Sequence, residues 1–159
     1  MIINKIFLCL ALSNLSNTHF NMNDSSLRTA CMYSSQIVES SKQHKLSPFI
    51  LSSMIWVESR FVQNAVSHVG ACGLTQVLSK YSKYTCNDLK NPKISIVEGS
   101  KILSFWYKKK KNIQKALECY NSGYPCKSPT YSNLIFQKSI ILKNEYNKVL
   151  KQFTENNNE

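Results

Sequence analysis

The sequence predicts a single, mainly α-helical domain, on three observations. The chain has 159 residues, of which 43% are hydrophobic, and this suits one hydrophobic core with little room for a second. It contains only four glycines and four prolines. Apolar residues recur at helical spacing in most segments beyond residue 25. Together these features favour helices over a β-sandwich or a barrel.

The first residues predict a short secretion signal and a linker. One lysine precedes seven apolar residues, Ile6 to Leu12, and the small-x-small pattern Ala11-Leu12-Ser13 closes a run far too short to span a membrane. The polar stretch SNLSNTHFNMNDSS that follows is typical of a linker. A buried N-terminal strand or helix is the alternative, but we favour export. We therefore assign residues 1–24 to signal and linker, 25–154 to the folded domain and 155–159 to a frayed tail.

The first two helices of the domain are predicted from start signals and apolar spacing. Residues 25–45 form the first, with Asp24 or Ser25 as its N-cap. The second, PFILSSMIWVESR, begins at Pro48, where the missing N–H costs nothing, and is apolar nearly all round.

The rest of the chain is predicted to alternate loops and helices. Residues 61–72 lack periodicity and are expected to form a loop, after which Gly73 opens a short helix, GLTQVLSKYS. Pro92 begins another helix that ends in four lysines, and NIQKALECY forms a shorter one. A final long helix is expected from Thr130 to about Phe153.

The chain is strongly basic, with 20 Lys and Arg against nine Asp and Glu and a net charge of +11. Such a surface favours polyanions, including nucleic acid, anionic lipid and the acidic polymers of a bacterial wall. The run Lys108 to Lys111 is interpreted as the solvated end of a helix. Because the sequence has no recognisable nucleic-acid motif and no basic–aromatic interleaving, we expect no specific nucleic-acid partner.

Six cysteines are many for this length. Two pairs lie close in sequence: Cys72 with Cys86, and Cys119 with Cys126. No C-x-x-C or Cys/His cluster has zinc spacing, so two short-range disulfides in an oxidising compartment are favoured over a metal site. Free buried thiols in a cytosolic protein are the alternative. Cys9 lies in the predicted signal, and Cys31 is left without a partner.

Glu58 is the candidate catalytic residue. It ends the apolar run Ile55 to Val57 on the second predicted helix, so its surroundings are expected to be dry. Burial disfavours a charged carboxylate and raises its pKa, as a general acid requires near neutral pH. Taken alone, Glu58 is better interpreted as a helix-end residue facing water, touching Arg60 or a loop N–H.

Five short motifs that follow one another along the chain favour the catalytic interpretation of Glu58. They are E-S at Glu58-Ser59, N-A-V-S at Asn64 to Ser67, G-A-x-G-L-x-Q at Gly70 to Gln76, N-P with I-x-x-G at Asn91-Pro92 and Ile96 to Gly99, and A-L-x-x-Y-N-x-G at Ala116 to Gly123. From Leu46 to about Pro125, half of the chain, the sequence resembles the soluble lytic transglycosylase catalytic domain, a lysozyme-like α-helical fold that cleaves peptidoglycan.

The resemblance implies roles for individual residues. Glu58 matches the family's single acid/base, and Ser59 matches the serine that helps to position the muramoyl group. Gln76, Tyr120 and Asn121 match residues that line the glycan groove. The alternatives are a helix-surface hydroxyl for Ser59, a solvated side chain for Gln76, and a core aromatic for Tyr120 with its hydroxyl bonded to backbone.

The sequence also departs from the family pattern. The family usually has an apolar residue, often Met, at the position of Thr75, Asn at Ser95, Ala at Cys119 and a small apolar residue at Cys72. The two added cysteines and their downstream partners would form disulfides that fix two groove loops. Thr75 and Ser95 affect the expected contacts with the sugar.

A single acid favours a reaction without water, since most glycosidases use two carboxylates and none of Asp88, Glu98 and Glu118 falls at a recognised catalytic position. The expected product carries a 1,6-anhydromuramoyl end, and no metal or cofactor is implied. The alternatives are a hydrolytic lysozyme on the same fold and a non-catalytic wall-binding assembly protein. We expect a monomer without a membrane span that acts on peptidoglycan strands, and that is exported to the periplasm, the outside or the cell wall, or is carried by a phage particle.

Overall fold

A computed structural model describes residues 3–156, and most of them are helical. The helices are α1 (Lys5–Leu15), α2 (Asp24–Met32), α3 (Ser34–His44), α4 (Pro48–Ser59), α5 (Cys86–Leu89), α6 (Pro92–Lys110), α7 (Ile113–Ser122) and α8 (Pro129–Asn156). A π-helical segment (Ser16–Phe20), a 3-10 turn (Ser79–Tyr81) and two short strands, β1 (Ala71–Cys72) and β2 (Val77–Leu78), complete the fold. The predicted mainly α-helical fold is confirmed.

Local signals fix the ends of the central helices α4 and α6. Pro48 occupies the first turn of α4, and the helix ends at Arg60, which adopts a left-handed conformation with φ of 52°. The side chain of Asn91 caps α6 by accepting hydrogen bonds from two backbone N–H groups of its first turn. Three lysines stand in the last turn of α6, where the helix dipole favours positive charge.

Helix α4 is the centre of the core. Leu51, Met54 and Ile55 are fully buried in it, and the helix packs against α8. Each such side chain contributes roughly 1.5–3 kcal/mol by leaving water. Helix α6 packs against α7 and against α3, which closes the core on its other side. The core therefore holds the C-terminal end of α4 in a fixed position.

The N-terminal segment also packs onto this core. Leu8 and Leu12 of α1 are fully buried, and α1 lies along α8. Phe20, within the predicted linker, is fully buried and its carbonyl accepts a hydrogen bond from the indole N–H of Trp56 in α4. Residues 5–22 thus contribute side chains to the core in the full chain, and removal of the signal stays a prediction.

Two predicted helices differ from the structure. The expected helix over 25–45 is two helices, α2 and α3, because Tyr33 leaves the helical conformation between them (φ −101°, ψ 9°). The predicted helix beginning at Gly73 is wrong. Residues 73–76 form a turn, hereafter the Gly73 turn, that joins β1 to β2. Gly73 (φ 76°) and Gln76 (φ 49°) both have left-handed backbone, which a right-handed helix excludes.

Gly73 is the residue that this turn requires. A Cβ added at Gly73 would lie 1.9 Å from the carbonyl oxygen of Leu89 in α5, in addition to the cost of its positive φ.

Within residues 3–156, no helix is both long and apolar enough to cross a membrane.

Candidate active site

Glu58 lies in the last turn of α4, where its side chain is half-buried. Its carboxylate Oε1 accepts a hydrogen bond from the hydroxyl of Tyr131 in α8. Burial raises the pKa of Glu58 to about 7, and the Tyr131 bond opposes this rise because it favours the ionised form. The carboxyl group can therefore both donate and accept a proton near neutral pH.

The sequence alternative for Glu58, a helix-end residue touching Arg60, does not describe its environment. The guanidinium of Arg60 lies over the ring of Trp56, 5.2 Å from its centroid. The hydrogen-bond partner of Glu58 comes instead from α8. This leaves the carboxyl group beside a neutral donor, so the raised pKa is not offset by a cation.

Tyr131 is the site residue that sequence reasoning missed. Burial and the negative charge of Glu58 raise the pKa of Tyr131 well above its ordinary value, so its hydroxyl stays a neutral donor. It stands in the first turn of α8, beyond the last of the recognised motifs. Only its place near the start of the final helix could have drawn attention to it.

Tyr120 in α7 also stands near Glu58. Burial and then the charge of Glu58 raise the pKa of Tyr120 well above its ordinary value. Its hydroxyl donates a 2.6 Å hydrogen bond to the carbonyl oxygen of Thr75 in the Gly73 turn. The hydroxyl is thus bonded to backbone, as the alternative interpretation expected, and it lies close enough to Glu58 for the charge of Glu58 to affect its pKa.

Ser59 is buried and faces the protein. Its hydroxyl can donate to the carbonyl oxygen of Leu74, at 2.8 Å, or to that of Ile55 one turn earlier, at 3.1 Å. The first contact fastens the end of α4 to the Gly73 turn. Ser59 therefore positions the elements on either side of Glu58.

Gln76 ends the Gly73 turn and is half-buried. Its amide NH2 donates to the carbonyl oxygens of Ala65 (3.1 Å) and Gly73 (2.9 Å). These bonds tie the turn to the preceding loop and explain how Gln76 keeps a positive φ. The side chain thus has one structural partner within the turn and one in the loop before it.

Asn121 lies at the end of α7 and is exposed. Its amide NH2 donates to the hydroxyl of Ser128, at 2.6 Å, across the loop that leads to α8. The structure ties Asn121 to this loop rather than to Glu58. Of the four residues predicted to bind substrate, Tyr120 is the one whose interaction with the charge of Glu58 is evident.

Three disulfides are present, and the described residues include no free cysteine. Cys72 pairs with Cys86 and joins β1 to α5, while Cys119 pairs with Cys126 and closes the loop after α7. Cys31, for which the sequence offered no partner, is bonded to Cys9 of α1. Two of the bridges thus fix segments that flank the Gly73 turn and Tyr120.

The other carboxylates considered as partners for Glu58 have structural roles. Asp88 forms a capping box with Thr85 at the start of α5. Glu98 accepts from Ser82 at 2.9 Å, and Glu118 pairs with Lys115 at 2.8 Å. Across the described part of the chain, no group of three or more His, Cys, Asp or Glu side chains could hold a metal ion.

A comparison with known families matches residues 35–133 to a family described as "Transglycosylase SLT domain". The matched range runs from α3 to the first turn of α8. It includes Glu58, the whole Gly73 turn, Tyr120 and Tyr131.

Proposed function

The chain belongs to the transglycosylase SLT domain family, and from this premise we propose that it is a peptidoglycan lytic transglycosylase with Glu58 as its single catalytic acid and base. The family resemblance and the lysozyme-like, mainly helical fold predicted from the sequence are confirmed. The observation that supports the proposal most strongly is the state of Glu58. It is half-buried, its pKa is raised to about 7, and its hydrogen-bond partner is a neutral tyrosine.

The first step uses the protonated form of Glu58. Its proton passes to the glycosidic oxygen between N-acetylmuramic acid and N-acetylglucosamine while the bond from C1 to that oxygen breaks. The 2-acetamido group of the substrate stabilises the positive charge that develops at C1. Glu58 is then ionised, and the Tyr131 hydroxyl stabilises its carboxylate through the hydrogen bond already present.

The second step uses the ionised form as a base. Glu58 takes the proton of the muramoyl C6 hydroxyl as that oxygen attacks C1, which closes a 1,6-anhydro ring and restores the acid. No water is consumed, and one carboxyl group serves both steps. The scheme needs no second carboxylate, and Asp88, Glu98 and Glu118 are engaged elsewhere.

The remaining predicted site residues take supporting roles in this proposal. Tyr120 supplies an aromatic surface beside Glu58 for the sugar rings. Gln76, half-buried at the end of the Gly73 turn, and Asn121, exposed at the end of α7, are assigned to the glycan groove around the scissile bond. Ser59 acts by holding the Gly73 turn against α4.

The partner that we propose is the glycan strand of peptidoglycan, bound by a monomer. The net charge of +11 favours adhesion to an anionic wall, and salt would weaken that adhesion. Three disulfides are compatible with an exported protein, because such bonds persist in oxidising compartments. We propose that the protein acts in the periplasm or outside the cell, or is carried there by a phage particle.

Comparing wild type with Glu58→Gln tests whether the protein is an enzyme or a wall-binding protein. Clearing of a purified peptidoglycan suspension should be lost in the variant, whereas co-sedimentation with the same material should be retained. Gln keeps the size and a hydrogen-bond acceptor for Tyr131 but can neither donate an acidic proton nor act as a carboxylate base. Equal clearing by both forms would exclude Glu58 as the acid, and binding without clearing by wild type would favour the wall-binding protein.

A further inference from the structure

Thr75 and Ser95, two of the four departures from the family pattern, contact each other in this chain. Thr75 lies in the Gly73 turn, Ser95 in the first turn of α6, and both are fully buried. The backbone N–H of Thr75 donates to the Ser95 hydroxyl oxygen at 3.1 Å. The Thr75 hydroxyl donates to the Ser95 carbonyl oxygen at 2.7 Å, and the two hydroxyl oxygens are 3.0 Å apart.

One arrangement of protons satisfies all three contacts. The Thr75 hydroxyl proton is committed to the Ser95 carbonyl oxygen, so the remaining contact is a donation from the Ser95 hydroxyl to Thr75 Oγ1. The Ser95 oxygen still accepts from the Thr75 N–H. Each hydroxyl therefore donates once and accepts once, as buried polar groups require.

The Thr75–Ser95 pair fixes the Gly73 turn, and α4, which carries Glu58, and α7 are hydrogen-bonded to the same turn. The carbonyl oxygen of Thr75 accepts the hydrogen bond of the Tyr120 hydroxyl at 2.6 Å. The neighbouring carbonyl oxygen, that of Leu74, accepts from Ser59 in α4 at 2.8 Å. Movement of Thr75 would therefore displace the acceptor of Tyr120 directly.

The packing of Thr75 leaves little space for such movement. A Cβ added at Gly99 in α6 would lie 2.5 Å from the Cβ of Thr75. The turn is thus pressed against α6 at Gly99 and bonded to it at Ser95. A fully satisfied polar contact in a low-dielectric interior specifies one geometry.

We propose that Thr75 and Ser95 are positioning residues for cleavage, which hold the Thr75 carbonyl oxygen where it anchors Tyr120 beside Glu58. Neither residue touches the substrate. This inference rests on the proposed function, because its effect is on the rate of glycan cleavage. It assigns the pair an action through Tyr120 rather than a contact with the sugar.

Thr75→Val tests the pair because it removes the hydroxyl while keeping the branched shape that packs against Gly99. We expect kcat on soluble peptidoglycan fragments to fall by about three- to tenfold, with KM changed less than about twofold, as for loss of a contact that orients the site. Thr75→Ser, which retains the hydroxyl, should recover most of kcat.

The matched control is Ser100→Ala. Ser100 is also a fully buried hydroxyl of α6, but it donates to the carbonyl oxygen of Ile96 within its own helix. The control should leave kcat unchanged. Thermal unfolding of every variant separates a loss of rate from a loss of folded protein.

A double-mutant cycle with Tyr120→Phe identifies the route of the effect. If the pair acts through Tyr120, Thr75→Val should change kcat by less than about twofold once the tyrosine hydroxyl is absent. Ser95→Ala breaks the same contact from α6 and supplies the same comparison if Thr75→Val does not fold.

An equal fall of kcat in both backgrounds, or an unchanged kcat in the folded single variants, would overturn the inference while the proposed function stands. A wild-type protein that cleaves no peptidoglycan would overturn the proposed function instead. The two failures are therefore distinguished by the wild-type measurement alone.

Discussion

The hydroxyl of Tyr131 donates a hydrogen bond to the carboxylate of Glu58, across 73 positions of sequence. The two residues belong to α8 and α4, which pack against each other in the core. The contact joins the proposed acid to a donor that stays neutral, because burial and the charge of Glu58 raise the pKa of Tyr131 well above its ordinary value. It stabilises the ionised carboxylate and orients it.

Tyr131→Phe should raise the pKa of Glu58 and lower the rate of glycan cleavage. Without the hydroxyl, the ionised form loses a donor, so the pKa of Glu58 rises above about 7, by up to about one pH unit. The alkaline limb of kcat/KM against pH should shift upward accordingly. At its maximum, kcat should fall by about ten- to a hundredfold, the typical effect of one hydrogen bond to a charged group.

Tyr81→Phe is the control for this experiment, since Tyr81 is 75% exposed and lies in the 3-10 turn. This variant should leave both the alkaline limb of the kcat/KM profile and kcat unchanged. A Tyr131→Phe profile that falls at lower pH than the wild-type profile would contradict the assignment of Tyr131 as a donor to the carboxylate.

Glu58 should also make stability depend on pH. Its pKa is raised from 4.5 to about 7, so between these values the folded protein keeps a proton that the unfolded chain has released. The contribution of Glu58 to the free energy of unfolding is therefore largest below about pH 4.5, falls as pH rises to about 7, and is constant above that. The loss amounts to about 3 kcal/mol at most.

Urea denaturation of wild type and Glu58→Gln across this pH range measures the effect. The variant cannot ionise at this position, so its stability relative to wild type should increase from pH 5 to about pH 7. Other titrating groups, including His44, are common to both proteins and cancel in the difference. A difference that does not vary with pH would show that the pKa of Glu58 is not raised.

The sequence predicted the helix of Glu58 and singled out Glu58 as the candidate acid, but it did not predict the hydrogen-bond partner of Glu58 in α8. Glu58, Gln76 and Tyr120 stand inside short motifs, where the residue types and their spacing are local. Tyr131 reaches Glu58 only because α8 packs along α4, and no local pattern encodes that packing. The sequence therefore identifies a candidate catalytic group more readily than the residue that is hydrogen-bonded to it.

The region after Gly73 was mispredicted for a related reason. The sequence predicted a helix from Gly73, but Gly73 approaches Leu89 of α5 too closely for any other residue, and its positive φ begins the turn that joins β1 to β2. The Thr75–Ser95 contact arises from the same turn. Each residue alone looked like a loss of a family contact, and only the fold brings them together.

Phe20→Ala should destabilise the full chain strongly, although Phe20 stands in the predicted linker. The ring is fully buried and meets Trp56 edge to face, with centroids 5.4 Å apart. We expect a loss of about 3–5 kcal/mol in the free energy of unfolding. Phe105→Ala, at a ring that is 51% exposed, should cost less than about 1 kcal/mol. Equal, small effects in urea denaturation would contradict the packing of this segment on α4.

Removal of the Cys119–Cys126 bridge should affect stability and activity together. The bridge closes a short loop, with a sequence separation of 7, so replacing both cysteines by alanine should cost about 2–3 kcal/mol. Because Cys119 directly precedes Tyr120, kcat should fall as well.

Alanine at Cys9 and Cys31 is the matched control for that bridge. This change removes a bridge that closes a longer loop, with a sequence separation of 22. It should lower the free energy of unfolding by about 3 kcal/mol but leave kcat unchanged. Chemical denaturation and initial rates on the same preparations check both effects. A larger fall of kcat in the control would contradict a link between the Cys119–Cys126 bridge and the site.

The most direct test of the central claim is mass spectrometry of the fragments that wild type and Glu58→Gln release from purified peptidoglycan. We predict that wild type yields muropeptides with 1,6-anhydromuramoyl ends, lighter than hydrolytic fragments by the mass of one water molecule, and that the variant yields none. Fragments with ordinary reducing ends would contradict transglycosylation and identify the protein as a hydrolytic lysozyme. Anhydro products from the variant would contradict the assignment of Glu58 as the acid and base.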